Sequence, residues 1–175
     1  RDLFYAAPDS LEQVQRLSTT PAGPLRDALL GALFRSVDPV KGFRADQAFH
    51  QFFLSHMTEI GVPIGPDHVL PGGQTSCQHF ALDTLIWTGK VTRLSELARG
   101  MYSGDPHSPQ ERELRSAVLN DLYTARTGRN FDPNALFCKY AINNSMGAPM
   151  GKAEVQTLAG GRLVAMPYAL DVLYC

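Results

Sequence analysis

The sequence has no block of charge of one sign and no long apolar run. Sixteen Lys and Arg stand against seventeen Asp and Glu, a net charge of −1, which removes the basic footprint of a nucleic-acid binder. No segment approaches the roughly eighteen consecutive apolar residues of a membrane-spanning helix. Cysteine is scarce: Cys77, Cys138 and Cys175 lie far apart with no Cys-x-x-Cys pair. That spacing excludes a zinc ribbon or a thioredoxin-type motif, and an odd, sparse set is not a dense secreted disulfide framework. One bridge with a leftover thiol stays open. There is no P-loop, no Gly-x-Gly-x-x-Gly and no pair of carboxylates at catalytic spacing. What remains is 44% apolar residues over 175 positions, enough to bury a core and to exclude intrinsic disorder. Arg1 stands first and no signal pattern follows it, so the sequence reads as processed or excised, which says nothing of compartment.

The chain resembles itself. Phe80-Ala81-Leu82-Asp83-Thr84-Leu85 matches Tyr168-Ala169-Leu170-Asp171-Val172-Leu173 at an offset of 88. Gly72-Gly73 matches Gly160-Gly161 at the same offset, and Gly61-Val62-Pro63 matches Gly147-Ala148-Pro149 at 86. Leu25-Arg26-Asp27-Ala28-Leu29-Leu30 matches Leu114-Arg115-Ser116-Ala117-Val118-Leu119 at 89. Ordered matches at near-constant offset indicate a tandem duplication. Arg16-Leu17-Ser18 also matches Arg93-Leu94-Ser95, and Leu3-Phe4-Tyr5 stands before the former as Leu85-Ile86-Trp87 stands before the latter. The organisation expected is therefore the end of a preceding repeat with a connecting helix (1–24), repeat 1 (25–87), a linker with a short helix (88–113) and repeat 2 (114–175).

Each repeat reads as two helices and a β-hairpin, an α+β fold with an approximate internal two-fold relation. Leu25, Ala28, Leu29, Leu33, Phe34 and Val37 recur at helical spacing, as do Phe49, Phe52, Phe53, His56, Met57 and Ile60. Leu114, Ala117, Val118 and Leu122, then Phe137, Tyr140 and Ala141, repeat the pattern. Ser108-Pro109-Gln110-Glu111 is a capping box, and Ser10-Leu11-Glu12-Gln13 is another that opens a short helix through Leu17. Asp132-Pro133 supplies an N-cap and a first-turn proline. Gly-Gly permits the positive φ of a hairpin turn, with Gln74 to Trp87 and Arg162 to Tyr174 as the outgoing strands. Pro167 inside the second predicts an edge or a bulge. Leu29, Phe53, Val118 and Tyr140 are expected to line an interface shared by the repeats.

Chemistry-bearing residues are few. Cys77 and His79 share a strand face by the two-residue period, so a cysteine hydrolase is one reading. Their side chains diverge, however, and repeat 2 has Ala165 and Pro167 there. His50 and His56 lack the i, i+4 spacing of a helical zinc pair, His56 reads as a core histidine, and His68 and His107 read as solvated loop residues. No metal and no cofactor is expected. Asp83 and Asp171 interrupt apolar strands and recur in both repeats, as do Arg26 and Arg115. The expected pairs are Arg26–Asp83 and Arg115–Asp171, since a buried carboxylate must be paired; the alternative is a groove in which the aspartates hold a ligand hydroxyl. Trp87, Tyr5 and Tyr174 form an aromatic series at the hairpin ends, read as packing or as a stacking platform.

The hairpin portion resembles the LGFP repeat. Ile60-Gly61-Val62-Pro63-Ile64-Gly65, Gly72-Gly73, Gln78-His79-Phe80 and Leu85-Ile86-Trp87 carry the likeness, with Met146-Gly147-Ala148-Pro149, Gly160-Gly161, Tyr168 and Leu173-Tyr174 as a weaker second match. It covers about 30 residues per repeat and departs in having Ala-Leu-Asp where the pattern has a glycine. It is also similar to Gly-x-Pro hairpin repeats of large bacterial proteins, some of them joined to peptidoglycan-hydrolysing domains. The resemblance implies a non-catalytic module, not an enzyme, binding or spacing at the bacterial cell envelope. A cell-wall polymer, or another domain of the same parent chain, would be the partner, with Trp87, Tyr5, Tyr174 and Gln78 in contact. A protein–protein scaffold is the alternative, and the hydrolase using Cys77 and His79 the second.

Overall fold

A computed structural model describes residues 15–73 and 75–175. Tyr5, Gln74, the Ser10–Gln13 capping box and most of the 1–24 segment lie outside the described residues. A 3-10 turn at Leu17–Thr19 leads to α1 (Pro24–Arg35), with proline at its first position, and α2 (Ala48–Ile60). Then come β1 (His68–Val69), β2 (Ser76–His79), β3 (Thr84–Trp87), β4 (Val91–Arg93) and α3 (Leu94–Ala98). The second half runs α4 (Pro109–Thr127), α5 (Leu136–Asn143), β5 (Glu154–Leu158), β6 (Gly161–Pro167) and β7 (Val172–Tyr174). Two antiparallel sheets result, in the orders β1-β2-β3-β4 and β5-β6-β7. The α+β class follows from the sequence pattern, and so do the four main helices. The Ser108–Glu111 capping box forms in full at the start of α4.

Each outgoing strand is two strands, not one. A tight turn over 80–83 folds β3 back onto β2, and its counterpart over 168–171 folds β7 onto β6. Asp83 and Asp171 make these turns. The amide of Phe80 donates to the Asp83 carbonyl at 2.9 Å, and that of Tyr168 to the Asp171 carbonyl at 2.8 Å. Each carboxylate then accepts from the next amide, Thr84 at 2.8 Å and Val172 at 2.7 Å. Further bonds correspond: Ala81 to Val62 and Ala169 to Ala148, Ile64 to His79 and Met150 to Pro167. Pro167 closes the central strand β6, beyond the last β5 pair at Ala165, so its missing N–H breaks no ladder bond. The segment 88–113 is more structured than a linker, contributing β4 and α3. Helix α5 starts at Leu136, because the Asp132 carboxylate and carbonyl accept from Asn134 and Ala135 and hold a turn there first.

The first sheet is covered on both faces. Phe80 and Leu85 pack into one apolar cluster with Leu30, Phe34, Phe49 and Phe53 of α1 and α2. Cys77 and Ile86 point the other way, into a cluster with Leu94, Val118, Leu122, Tyr123 and Ala141 that also takes in Met166 and Tyr168 of β6 and the turn after it. The helices of the second half thus cover both sheets, whereas α1 and α2 cover only the first among the described residues. A two-fold relation would require both, so the packing is head to tail instead. Of the expected interface residues, Phe53 and Val118 are buried on opposite sides of the first sheet, while Leu29 and Tyr140 are 43% and 53% exposed.

The ion pairs form with other partners. Asp83 is bound by Arg93 Nε at 2.8 Å and by the amide and hydroxyl of Ser95 at 3.1 and 2.6 Å. Arg115 pairs with Asp105 at 2.6 Å and donates to the Leu97 carbonyl. The turn at 80–83 aims Asp83 at the start of α3, and Arg115 faces α3 and the loop after it. Among the described residues neither Arg26 nor Asp171 has a charged partner.

Candidate metal centre

Four side chains from three elements converge beside the join between the first sheet and α4. His68 on β1 is paired directly with Cys77 on β2, and strand alternation puts His79 on the same face. The Gly72-Gly73 turn, both residues at positive φ, sets this register. The fourth group, Asp121, follows Val118 by three residues on α4 and so faces the sheet.

The geometry is tight. Asp121 Oδ2 lies 2.7 Å from His68 Nε2 and 2.8 Å from His79 Nε2. Cys77 Sγ lies 3.6 Å from His68 Nε2 and 3.9 Å from Asp121 Oδ2. All four donor atoms fall within 4.8 Å of one another. Bonds of about 2.0–2.3 Å to a tetrahedral zinc ion imply ligand separations of about 3.3–3.6 Å, so an ion fits with shifts of about an ångström or less in each side chain. Cys77 and His79 are buried, and His68 and Asp121 are partly so.

The outer contacts fix which nitrogens point inward. His68 Nδ1 lies 3.2 Å from the Pro66 carbonyl, which can only accept, so Nδ1 carries a hydrogen. His79 Nδ1 is 3.0 Å from Thr84 Oγ1. Both rings therefore turn Nε2 to the centre, the arrangement in which an outer hydrogen bond orients a metal-binding histidine. A neutral His68 would set its Nε2 lone pair against the Asp121 carboxylate at 2.7 Å, so a cation, proton or metal, belongs between them. Hydrogen bonds from His79 and then His68 hold the Asp121 carboxyl below the ordinary carboxylate range. Burial, then the Asp121 charge, pushes the Cys77 thiol far up.

This arrangement is not a Cys-His-Asp triad. There the acid holds one ring nitrogen and the nucleophile meets the other; here Cys77 and Asp121 both address His68 Nε2. The nearest ring to Cys77 is His68 rather than His79, and the thiol is fully buried. His68 and His107, expected to be solvated, are each bound to a carboxylate, His107 Nδ1 lying 2.8 Å from Asp105. The expectation of no metal rested on histidine spacings along the chain, whereas this set is assembled across it. Asp121 was missed, although it sits seven residues after Leu114, inside the apolar stripe of α4.

The other residues put forward for binding disperse. Gln78 is buried, its amide donating to the Gly65 carbonyl at 3.2 Å. Trp87 and Tyr174 are 43% and 72% exposed at the ends of β3 and β7. Asp83, saturated by four donors from Thr84, Arg93 and Ser95, has no capacity left for a ligand hydroxyl. No protein-family model, curated protein or solved structure matches the chain. Among the described residues no helix is long and apolar enough to cross a membrane.

Proposed function

We propose that the chain is a non-catalytic module clamped by a zinc ion, which His68, Cys77, His79 and Asp121 hold between the first sheet and α4. The observation that carries this is the convergence of one thiol, two imidazoles and one carboxylate on a common centre. That donor set suits zinc. Four protein ligands leave no open position for water, the pattern of structural rather than catalytic sites. Coordination removes the thiol proton outright, which offsets the raised affinity of Cys77 for it. A cysteine hydrolase is disfavoured by the order of groups about His68.

The setting we propose for the module is a tandem array at the bacterial envelope, binding or spacing there. The Gly-x-Pro hairpins support this, since both halves carry the same main-chain bonds around the turn, as copies of one unit would. Trp87 and Tyr174 are the aromatics available to a cell-wall polymer; a purely protein–protein scaffold is the alternative setting. Metal analysis of the purified chain tests the clamp: one zinc per chain is expected, lost in Cys77→Ser and His79→Ala. Absence of zinc, with no thermal shift when zinc is added, would overturn it. Co-sedimentation with peptidoglycan, reduced by Trp87→Ala, tests the setting.

A further inference from the structure

Pairing across the first sheet sets four side chains in one row. Val69 pairs with Ser76, Ser76 with Trp87, and Trp87 with Val91. Residues directly opposite one another share a face, with Cβ atoms about 5 Å apart. The row lies on the face that carries Leu85, because Trp87 follows Leu85 by two residues. One row further in, Gln78 and Leu85 are buried, Leu85 against α1 and α2. In the outer row Val69 and Trp87 are exposed and Ser76 is half-buried, while Val91 rests partly on the cluster of α1 and α2. The helical layer thus stops one row short of the end of the sheet and leaves a ledge with the indole in it.

The shape and chemistry of this ledge select an occupant. A row of four residues one strand-repeat deep presents on the order of 100 Å², against about 800 Å² per partner in a stable protein interface. A folded partner or a second copy would therefore need far more surface than the ledge has. A nucleic-acid base would stack on the indole too, but it brings phosphates, and a net charge of −1 offers them no basic footprint. The charges beside β1 are spent on one another: Asp67 pairs with Lys41 at 3.1 Å and with Arg44 at 3.9 Å.

The chemistry that fits is a neutral ring with one apolar face and a polar rim. A pyranose has that form: its axial C–H groups lie on an aromatic face while its hydroxyls point outward. Here the Ser76 hydroxyl stands beside the indole in the row, and the indole N–H is itself a donor. Three strand spacings of about 4.8 Å make the row roughly 14 Å long, about the length of three linked pyranose rings. Tyr174 stands in a different kind of row, beside Ala165 and Glu154, where a carboxylate interrupts the apolar surface.

We propose that the Val69–Ser76–Trp87–Val91 row is a stacking surface for a linear polysaccharide, which crosses the strands and lays one ring on Trp87. Its identification with a wall glycan rests on the envelope reading above; the stacking itself rests on the row.

Trp87 is the only tryptophan of the chain, so its fluorescence reports this surface directly. Titration of the intact chain with β-1,4-linked N-acetylglucosamine oligomers should give a saturable blue shift of its emission. Affinity should rise up to about the trimer and level off beyond it, as the length of the row requires. Trp87→Ala replaces an exposed side chain, so folding is kept, as circular dichroism would verify; calorimetry should show binding at least about tenfold weaker, and less weakened in Trp87→Phe. Emission unchanged by the oligomers and by solubilised peptidoglycan would overturn the ledge, as would binding indifferent to Trp87→Ala. The two readings fail separately. Peptidoglycan retained equally by the intact chain and by Trp87→Ala would overturn the ledge and keep the envelope setting. A blue shift with the oligomers but no retention on peptidoglycan would keep the ledge and overturn the setting.

Discussion

His79 Nε2 stands 2.8 Å from Asp121 Oδ2 across 42 residues of sequence, so one carboxylate ties a central strand of the first sheet to the longest helix. If zinc occupies this join as proposed, removing it should loosen both. With free zinc at a hundred times its dissociation constant, the bound ion contributes about 2.7 kcal/mol. A chelator should therefore lower the melting temperature, and zinc should restore it. In Asp121→Ala the chelator should have little further effect. Differential scanning calorimetry reads all of these.

The three cysteines should separate by reactivity. Cys77 and Cys138 are buried and Cys175 is exposed, and burial raises the pKa of both Cys77 and Cys138. The thiolate is the reactive form. Brief alkylation of the native chain at neutral pH should add one group, at Cys175, and alkylation in denaturant with chelator should add three. Intact-mass spectrometry counts them.

Corresponding aspartates should differ in cost. Asp83→Ala leaves the Ser95 amide and the Thr84 amide without their acceptor and Arg93 held by Glu59 alone, at 2.8 Å, and loss of bonds to a buried carboxylate costs about 2–3 kcal/mol. Asp171 is exposed without a charged partner among the described residues, and Asp171→Ala should cost about 1 kcal/mol or less. Urea denaturation of the two variants should show that gap.

His50 gives a pH dependence of known sign. It lies between Phe34 and Phe43, with ring centroids at 4.2 and 5.2 Å, and its Nδ1 accepts from the Arg44 amide at 2.8 Å. Burial lowers its pKa below the ordinary 6.5. The unfolded chain then takes up the proton first, so the stability that neutral His50 contributes is complete above about pH 6.5 and is lost as pH falls through the lower folded value. Nuclear magnetic resonance titration should place the His50 midpoint below that of an exposed histidine.

The helices were legible because apolar spacing and the Ser108–Glu111 box are local signals that packing reinforced. The corresponding hairpins were visible as motifs, but Asp83 and Asp171 were read as strand interior. Aromatic-Ala-Leu-Asp looks apolar throughout, and only the bond from the Asp carboxylate to its own next amide reveals a turn. Asp105, the partner of Arg115, lay outside the matched positions, and Arg93 and Ser95, though matched by Arg16 and Ser18, fell in the segment read as a linker, so internal similarity pointed elsewhere. The cluster of His68, Cys77, His79 and Asp121 was illegible for a different reason: 53 residues separate His68 from Asp121, and no local pattern records a meeting at that range. The one clue was a carboxylate in the middle of an apolar helical stripe.

Gly147 sits at φ 76°, where an added Cβ would come within 2.6 Å of the Ala81 carbonyl oxygen; that same oxygen accepts from Ala148 at 2.8 Å. Ala148 in turn accepts from Ala169, and Ala81 donates to Val62, so one backbone ladder threads both hairpin corners. Together with the α4 face laid over the first sheet, this means that the period of the sequence and the unit of cooperativity do not coincide. Cutting the chain at the boundary between its two similar halves would bare one face of the first sheet and break the ladder at its middle rung. The melting of this molecule should be a single event, with neither half surviving the other.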